Sequence, residues 1–145
     1  MPSTPPDGED APRDGSLPPE SVAEARGQHL SAYVHVPFCR TRCGYCDFNT
    51  YTAGELGTAA STPAYVDALL AEVGLAAQVL PPMQPLRTIF FGGGTPTMLD
   101  PAQLASILDA LRERFGFADD IEVTTEANPE TCLLYTSDAA DDSLR

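Results

Sequence analysis

The stretch Tyr33-Val-His-Val-Pro-Phe-Cys-Arg-Thr-Arg-Cys-Gly-Tyr-Cys46 decides how this chain folds. Its first half is rich in β-branched and aromatic residues, which favour a pleated and buried environment, and a proline then ends the run. Its second half carries Cys39, Cys43 and Cys46 at a C-x3-C-x2-C spacing. We therefore predict a strand over residues 31–37, followed by a loop that carries three cysteines.

Two helical patterns and two more strand patterns follow this loop. Each helical pattern begins with a cap residue and a proline, and its apolar residues repeat at intervals of three and four. The predicted elements are a helix from Thr62-Pro63 to Leu80, a strand over residues 86–91, a helix from Asp100-Pro101 to Phe115 with Gly116 after it, and a strand over residues 121–126.

The order strand, helix, strand, helix, strand predicts an α/β fold. Helices between strands imply parallel strands joined by right-handed crossovers. This is the arrangement of the first segment of a β/α barrel or of a doubly wound sheet. Three strands cannot close a barrel, so we expect the fold to be incomplete.

The segments on either side of this domain, which spans residues 29–131, differ from it in character. Residues 1–28 are rich in Pro, Asp, Glu, Gly and Ser, and we expect them to form a disordered acidic tail. Residues 132–145 do not continue the alternation of strands and helices. DNA that resembles a transposase-type sequencing adapter can encode most of them. We therefore expect this tail to be non-native, with a natural acidic tail as the alternative, and we exclude Cys132 from every candidate site.

The composition excludes several functional classes. The chain of 145 residues has a net charge of −13, whereas a nucleic-acid-binding surface is basic. No apolar run reaches the ~20 residues that span a bilayer, and no basic segment precedes an apolar one as in a secretory signal. In such a protein a tight cysteine cluster indicates a metal or redox site rather than disulfides, and we predict a cytoplasmic location.

The cysteine spacing is typical of an iron–sulfur cluster. A [4Fe–4S] cluster needs four ligands, normally Cys thiolates, and three cysteines on one loop leave its fourth iron open. We therefore predict Cys39, Cys43 and Cys46 as cluster ligands, with Gly44 allowing a sharp turn between the last two. A zinc site commonly uses four protein ligands, and a disulfide would leave one cysteine unpaired. A non-catalytic zinc or Fe–S module is the alternative.

Two further segments lie at predicted strand ends. Gly92-Gly93-Gly94-Thr95 follows the second strand, where backbone without side chains would let a ligand approach closely. Taken alone, this segment is equally compatible with a simple turn. Glu126 ends the third strand, so we expect its carboxylate to face the same edge of the sheet, with a solvated charge as the alternative.

Together these segments resemble the radical S-adenosylmethionine (SAM) superfamily. The cysteine spacing with an aromatic residue before the third cysteine, the GGGTP segment and the E-x-N-P segment occur in the order that this family has. The block from Tyr33 to Thr52 is similar to the oxygen-independent coproporphyrinogen III oxidase-like group, and most closely to its heme chaperones of the HemW type.

The resemblance implies a partial (β/α)6 barrel that binds a [4Fe–4S] cluster and SAM and cleaves SAM reductively. It implies SAM contacts from Tyr33, Tyr45, Gly93, Gly94, Thr95 and Glu126. The coproporphyrinogen III dehydrogenases carry a further cysteine two positions after the third, where this chain has Phe48. This favours a heme chaperone, with heme, client hemoproteins and an electron donor as partners, over a dehydrogenase acting on a porphyrin substrate.

Overall fold

The computed structural model describes residues 10, 12–56, 61–128 and 131 of the chain. Its elements, in chain order, are α1 (Pro19–Ala25), β1 (Leu30–Val36), β2 (Phe38–Cys39), β3 (Tyr51–Thr52), α2 (Ala53–Leu56), α3 (Thr62–Val79), β4 (Leu86–Gly93), a 3-10 turn (Pro96–Met98), α4 (Pro101–Phe115) and β5 (Phe117–Thr125). The predicted succession of three main strands and two long helices, and with it the α/β class, is confirmed.

Strands β1, β4 and β5 form one parallel sheet with β4 in the middle. Val34 pairs with Phe91, and Phe91 pairs in turn with Thr125. The three strands therefore end at the same edge of the sheet. This edge carries the cysteine loop after β1, the glycine segment at the end of β4 and Glu126 after β5.

Helices α3 and α4 cover one face of the sheet. One apolar cluster joins Val34 of β1 and Ile89 of β4 to Val66 of α3 and Ile107 of α4. Because successive side chains of a strand point to opposite faces, burial of Val34 turns its neighbour Tyr33 to the other side. Tyr33 is 58% exposed, so this second face of the sheet is open.

The helix ends follow local signals in the sequence. The cap of α3 is Ser61, one residue before the predicted cap, and its hydroxyl accepts the Ala64 N–H at 3.3 Å. Asp100 caps the start of helix α4 as predicted, and its N–H donates to the Gln103 side chain at 2.9 Å. Gly116 caps the other end of this helix, and its φ of +69° favours glycine.

Two strands are longer than predicted. Strand β4 runs through Gly93 because this residue pairs with Val36 of β1. Strand β5 begins at Phe117, which pairs with Leu86. In both places, pairing with a neighbouring strand extends the strand beyond its local signal. Sequence reasoning considers only that local signal and not the neighbouring strand.

The N-terminal segment contains a helix where we predicted disorder. We expected residues 1–28 to bury little and to be disordered or loosely packed; within them, Pro19 at the start of α1 and Glu20 in its first turn both favour a short helix. None of the residues of α1 is buried. Residues 1–9 and the predicted non-native tail over 132–145 lie outside the described residues. Within the described part of the chain, no helix is long and apolar enough to cross a membrane.

Candidate functional site

The cysteine loop is closed at its base by backbone pairing. Strands β2 and β3 pair through Phe38 and Tyr51, and the Tyr51 N–H donates to the Pro37 carbonyl at 2.7 Å. Residues 40–50 therefore form a loop with its two ends held together. Cys39 lies at the entry to this loop, on β2 itself.

Side-chain contacts of Arg42 and Glu55 also hold the same loop in place. Arg42 donates to the Thr50 carbonyl at 2.6 Å and pairs with the Glu55 carboxylate at 3.1 Å. Glu55 also accepts the backbone N–H and the hydroxyl of Thr52, at 2.8 and 2.9 Å. These bonds from Thr52, and then the Arg42 guanidinium, lower the pKa of the Glu55 carboxyl. Arg42 thus sets the path of the loop.

The three predicted ligands are free thiols. Cys39 and Cys46 are half-buried, and Cys43 is exposed. Among the described residues, no three side chains of His, Cys, Asp or Glu are gathered closely enough to hold one metal ion. The ligands of a [4Fe–4S] cluster bind different iron atoms, so an all-thiol set spread along one loop suits a cluster better than a single zinc ion.

The turn between the second and third cysteines does not require glycine. The Cys46 N–H donates to the Cys43 carbonyl at 3.1 Å and closes this turn. Gly44 is not among the glycines with positive φ, and a Cβ built on it would meet no atom within 4 Å. We expected Gly44 to allow a sharp turn here; the turn is present, but its backbone conformation is also open to other residues.

Gly94 lies against the first cysteine. A Cβ at this position would come within 2.5 Å of the Phe38 carbonyl oxygen and 2.9 Å of the Cys39 sulfur. The Gly94 N–H donates to the Val36 carbonyl at 2.8 Å, and the Thr95 N–H donates to the Phe38 carbonyl at 2.7 Å. Only a residue without a side chain permits this approach, so close packing explains the glycine.

Gly93 and Glu126 meet at the ends of β4 and β5. The Gly93 N–H donates to the Glu126 carboxylate at 3.1 Å. Gly93 has a φ of +109°, and a Cβ on it would lie 2.6 Å from Nδ1 of His35. The Glu126 carboxylate therefore faces the glycine segment, as its place at the strand end predicts. Glu126 is exposed, so its role at the site stays a prediction.

A hydrogen-bonded chain on the open face connects β1 to the cysteine loop. The Tyr33 hydroxyl lies 3.0 Å from Nδ1 of His35, and Nε2 of His35 lies 2.8 Å from the Asn49 carbonyl oxygen. Because a carbonyl only accepts, Nε2 donates to Asn49, and in the neutral ring Nδ1 accepts from Tyr33. The ring of Phe90 stacks on Tyr33 with a centroid separation of 6.1 Å.

These contacts gather most of the predicted site at one edge of the sheet. The residues joined there by direct contact are Cys39, Gly93, Gly94, Thr95 and Glu126. Tyr33 is connected to this group through His35, whose ring lies against Gly93. Tyr45, by contrast, is 89% exposed, and Cys43 is exposed beside it on the loop.

Sequence reasoning missed three residues that shape the site. The place of His35 between two valines in the middle of a strand favours a hydrogen-bonded core residue. It is hydrogen-bonded, but it lies on the open face with Tyr33, and the spacing of two residues along a strand was the signal for this. Thr50 gave no local signal, because its partners are set by closure of the loop. Glu55 follows Thr52 by three residues, and this capping-box spacing was the signal for its bonds to Thr52.

Comparison with known proteins decides the family. The family model described as the radical SAM superfamily matches residues 33–139. The chain belongs to the radical SAM superfamily. Among its radical SAM relatives, the heme chaperone HemW of Mycobacterium tuberculosis (strain H37Rv) is 50% identical over 110 residues, which cover 76% of this chain and 28% of that protein. The heme chaperone HemW of Escherichia coli K12 is 39% identical over 103 residues, which cover 70% and 26% respectively.

A solved radical SAM structure has the same fold. The coproporphyrinogen III oxidase HemN of Escherichia coli superposes with a TM-score of 0.65 at 32% identity, covering 86% of this chain and 27% of that one. This similarity confirms the predicted partial radical SAM (β/α) architecture. The chain spans 28% and 26% of the lengths of the two HemW relatives and 27% of HemN.

Proposed function

We propose that this chain forms the cluster-binding and SAM-binding part of a HemW-like heme chaperone. The observation that carries the proposal is the all-thiol loop of Cys39, Cys43 and Cys46 on the edge of a radical SAM sheet. The first of these thiols lies against Gly94, where the backbone has no side chain. Cysteine thiolates are the usual ligands of iron–sulfur clusters, and three of them leave one iron open for SAM.

The residues around the loop are proposed to bind and orient SAM. The N–H groups of Gly93, Gly94 and Thr95 already donate within the protein. The carbonyl oxygens of this segment are therefore the groups suited to the SAM amino group, which only donates. Glu126 would accept from the ribose hydroxyls, a role that carboxylates take in other nucleotide sites. Tyr33 and Tyr45 would flank the cofactor. When bound, the cluster and SAM supply one-electron reductive cleavage of the sulfonium.

The choice of a chaperone over a dehydrogenase depends on two observations. The relatives of highest identity quoted above are named heme chaperones, and Phe48 stands where the dehydrogenases have a further cysteine. The structural similarity to HemN supports a coproporphyrinogen III dehydrogenase as the second candidate. For the full-length protein, stoichiometric heme binding without turnover supports the first candidate, whereas SAM-dependent decarboxylation of a porphyrinogen supports the second.

Anaerobic reconstitution of the full-length protein tests the cluster. We expect iron and sulfide to bind, visible absorption typical of a [4Fe–4S] centre to appear, and SAM to perturb its spectrum. Cys43→Ala should abolish cluster assembly, whereas Thr41→Ala, in the same exposed part of the loop, should leave it intact. A colourless zinc protein, or a Cys43→Ala variant that keeps a full cluster, would overturn the assignment.

The remaining assignments are proposals as well. We propose a core over residues 29–131, an acidic segment before it and a non-native segment after it. The family match reaches residue 139, so DNA sequence beyond codon 131 is the test of that second boundary. Free thiols and an oxygen-sensitive cluster suit the reducing cytoplasm. Client hemoproteins and an electron donor are the proposed partners.

A further inference from the structure

Thr50 is a buried hydroxyl beneath the cysteine loop. Its relative exposure is 2%, while the loop residues around it are largely exposed. Burial of a hydroxyl costs free energy unless it forms a hydrogen bond. The position of Thr50 is also fixed, because its N–H donates to the Phe48 carbonyl at 2.8 Å and its carbonyl accepts from Arg42 at 2.6 Å.

The better partner of the Thr50 hydroxyl is the Cys46 sulfur. The two atoms are 3.7 Å apart, within hydrogen-bonding range for the large sulfur atom. The other contact of the hydroxyl is the Phe48 carbonyl oxygen at 3.5 Å. That distance is well beyond the ~2.7–2.8 Å typical of a bond between a hydroxyl and an oxygen. The Phe48 carbonyl also already accepts the shorter bond from the Thr50 N–H.

Ligation would fix the direction of this bond. In the free thiol either atom can donate. A cysteine that binds iron is a thiolate without a proton, so in a bond between these two atoms only the hydroxyl can then donate. We propose that Thr50 is a positioning residue that donates a hydrogen bond to the Cys46 thiolate and raises the reduction potential of the cluster. The inference rests on the proposed function, because it requires the cluster.

The sign follows from electrostatics. Reduction adds negative charge to the cluster and its sulfur ligands. The positive end of the hydroxyl dipole stabilises that charge, so the bond favours the reduced state and raises the midpoint potential. The hydrogen bond from Arg42 to the Thr50 carbonyl holds the Thr50 hydroxyl near the Cys46 sulfur. Arg42 therefore contributes to the potential indirectly, through the geometry of the loop.

Redox titration of the reconstituted full-length protein tests the inference. We expect Thr50→Val to shift the midpoint potential to a more negative value at unchanged iron content, and Thr50→Ser to restore it. Thr41→Val is the matched control, since Thr41 is exposed on the same loop, and it should leave the potential unchanged. An unchanged potential in Thr50→Val, or a Thr50→Ser variant that behaves like Thr50→Val, would overturn the inference while leaving the proposed function intact.

Two further outcomes are informative. If the wild-type protein binds no iron under anaerobic conditions, the proposed function fails and this inference fails with it. If Thr50→Val does not assemble a cluster, the hydrogen bond is tested in the wild-type protein instead. Pulsed electron paramagnetic resonance in heavy water then detects deuterons that are coupled to the cluster. An exchangeable deuteron coupled to the reduced cluster, retained in Thr50→Ser, supports the hydrogen bond, and its absence from the wild type overturns it.

Discussion

Substitution of Gly94 by alanine tests the geometry of the site without any cofactor. The added Cβ would lie 2.5 Å from the Phe38 carbonyl oxygen and 2.9 Å from the Cys39 sulfur, and ordinary contacts begin near 3.4 Å. The two segments must therefore separate by about 1 Å, since the nearest clashing atom belongs to the backbone and cannot rotate away. That displacement would weaken the bonds from Gly94 to Val36 and from Thr95 to Phe38, now 2.8 and 2.7 Å long.

The expected loss of stability is about 2–4 kcal/mol. Overpacking of a tight site costs about 1–3 kcal/mol, and a backbone hydrogen bond is worth about 1 kcal/mol. Urea denaturation of the metal-free protein measures this loss. Gly44→Ala is the matched control, because its Cβ meets no atom within 4 Å, so its stability should be unchanged or slightly higher. A Gly94→Ala variant within about 0.5 kcal/mol of the control would refute the reasoning, since surface substitutions vary by that much.

Three other changes have defined outcomes. Ile107→Ala, at a fully buried core position, should cost about 2–5 kcal/mol in urea denaturation, and a smaller loss would mean that α4 packs loosely. Burial, and then Glu72, raise the pKa of Tyr65 to about 12. The contribution of the neutral phenol to stability is therefore complete below pH ~10 and is lost as the pH rises towards 12. Tyr65→Phe should remove this loss of stability at alkaline pH. Glu126→Ala should weaken SAM binding by about 10-fold or more in calorimetry, and unchanged affinity would exclude Glu126 from the cofactor site.

The main elements could be predicted because their signals are local. The cap at Asp100, the glycine after α4 and the apolar repeats of both long helices are each contained within a few residues. The meeting of Glu126 with Gly93 was also predictable, since parallel strands end at a common edge. In these places the sequence pattern and the tertiary structure favour the same arrangement.

The closure of the cysteine loop could not be predicted in the same way. The two-residue pairing of β2 with β3 is too short to leave a periodic pattern. The contacts of Arg42 with Thr50 and Glu55 join residues whose proximity depends on that closure. The spacing of Thr52 and Glu55 is a local signal for their hydrogen bonds. No such signal marks Thr50 as the buried threonine, because only the folded loop brings its hydroxyl near the Cys46 sulfur.

The register of the sheet connects the distant core to the first cysteine. Val34 pairs with Phe91 and both are buried, so a slip of one residue between β1 and β4 would turn one set of side chains out of the core. The same register sets which glycine faces Cys39, because Gly94 comes directly after the paired residues Val36 and Gly93. The apolar core under α3 and α4 therefore fixes the position of the first thiol through Val36 and Phe38, whose side chains are buried in that core and whose carbonyls accept from Gly94 and Thr95.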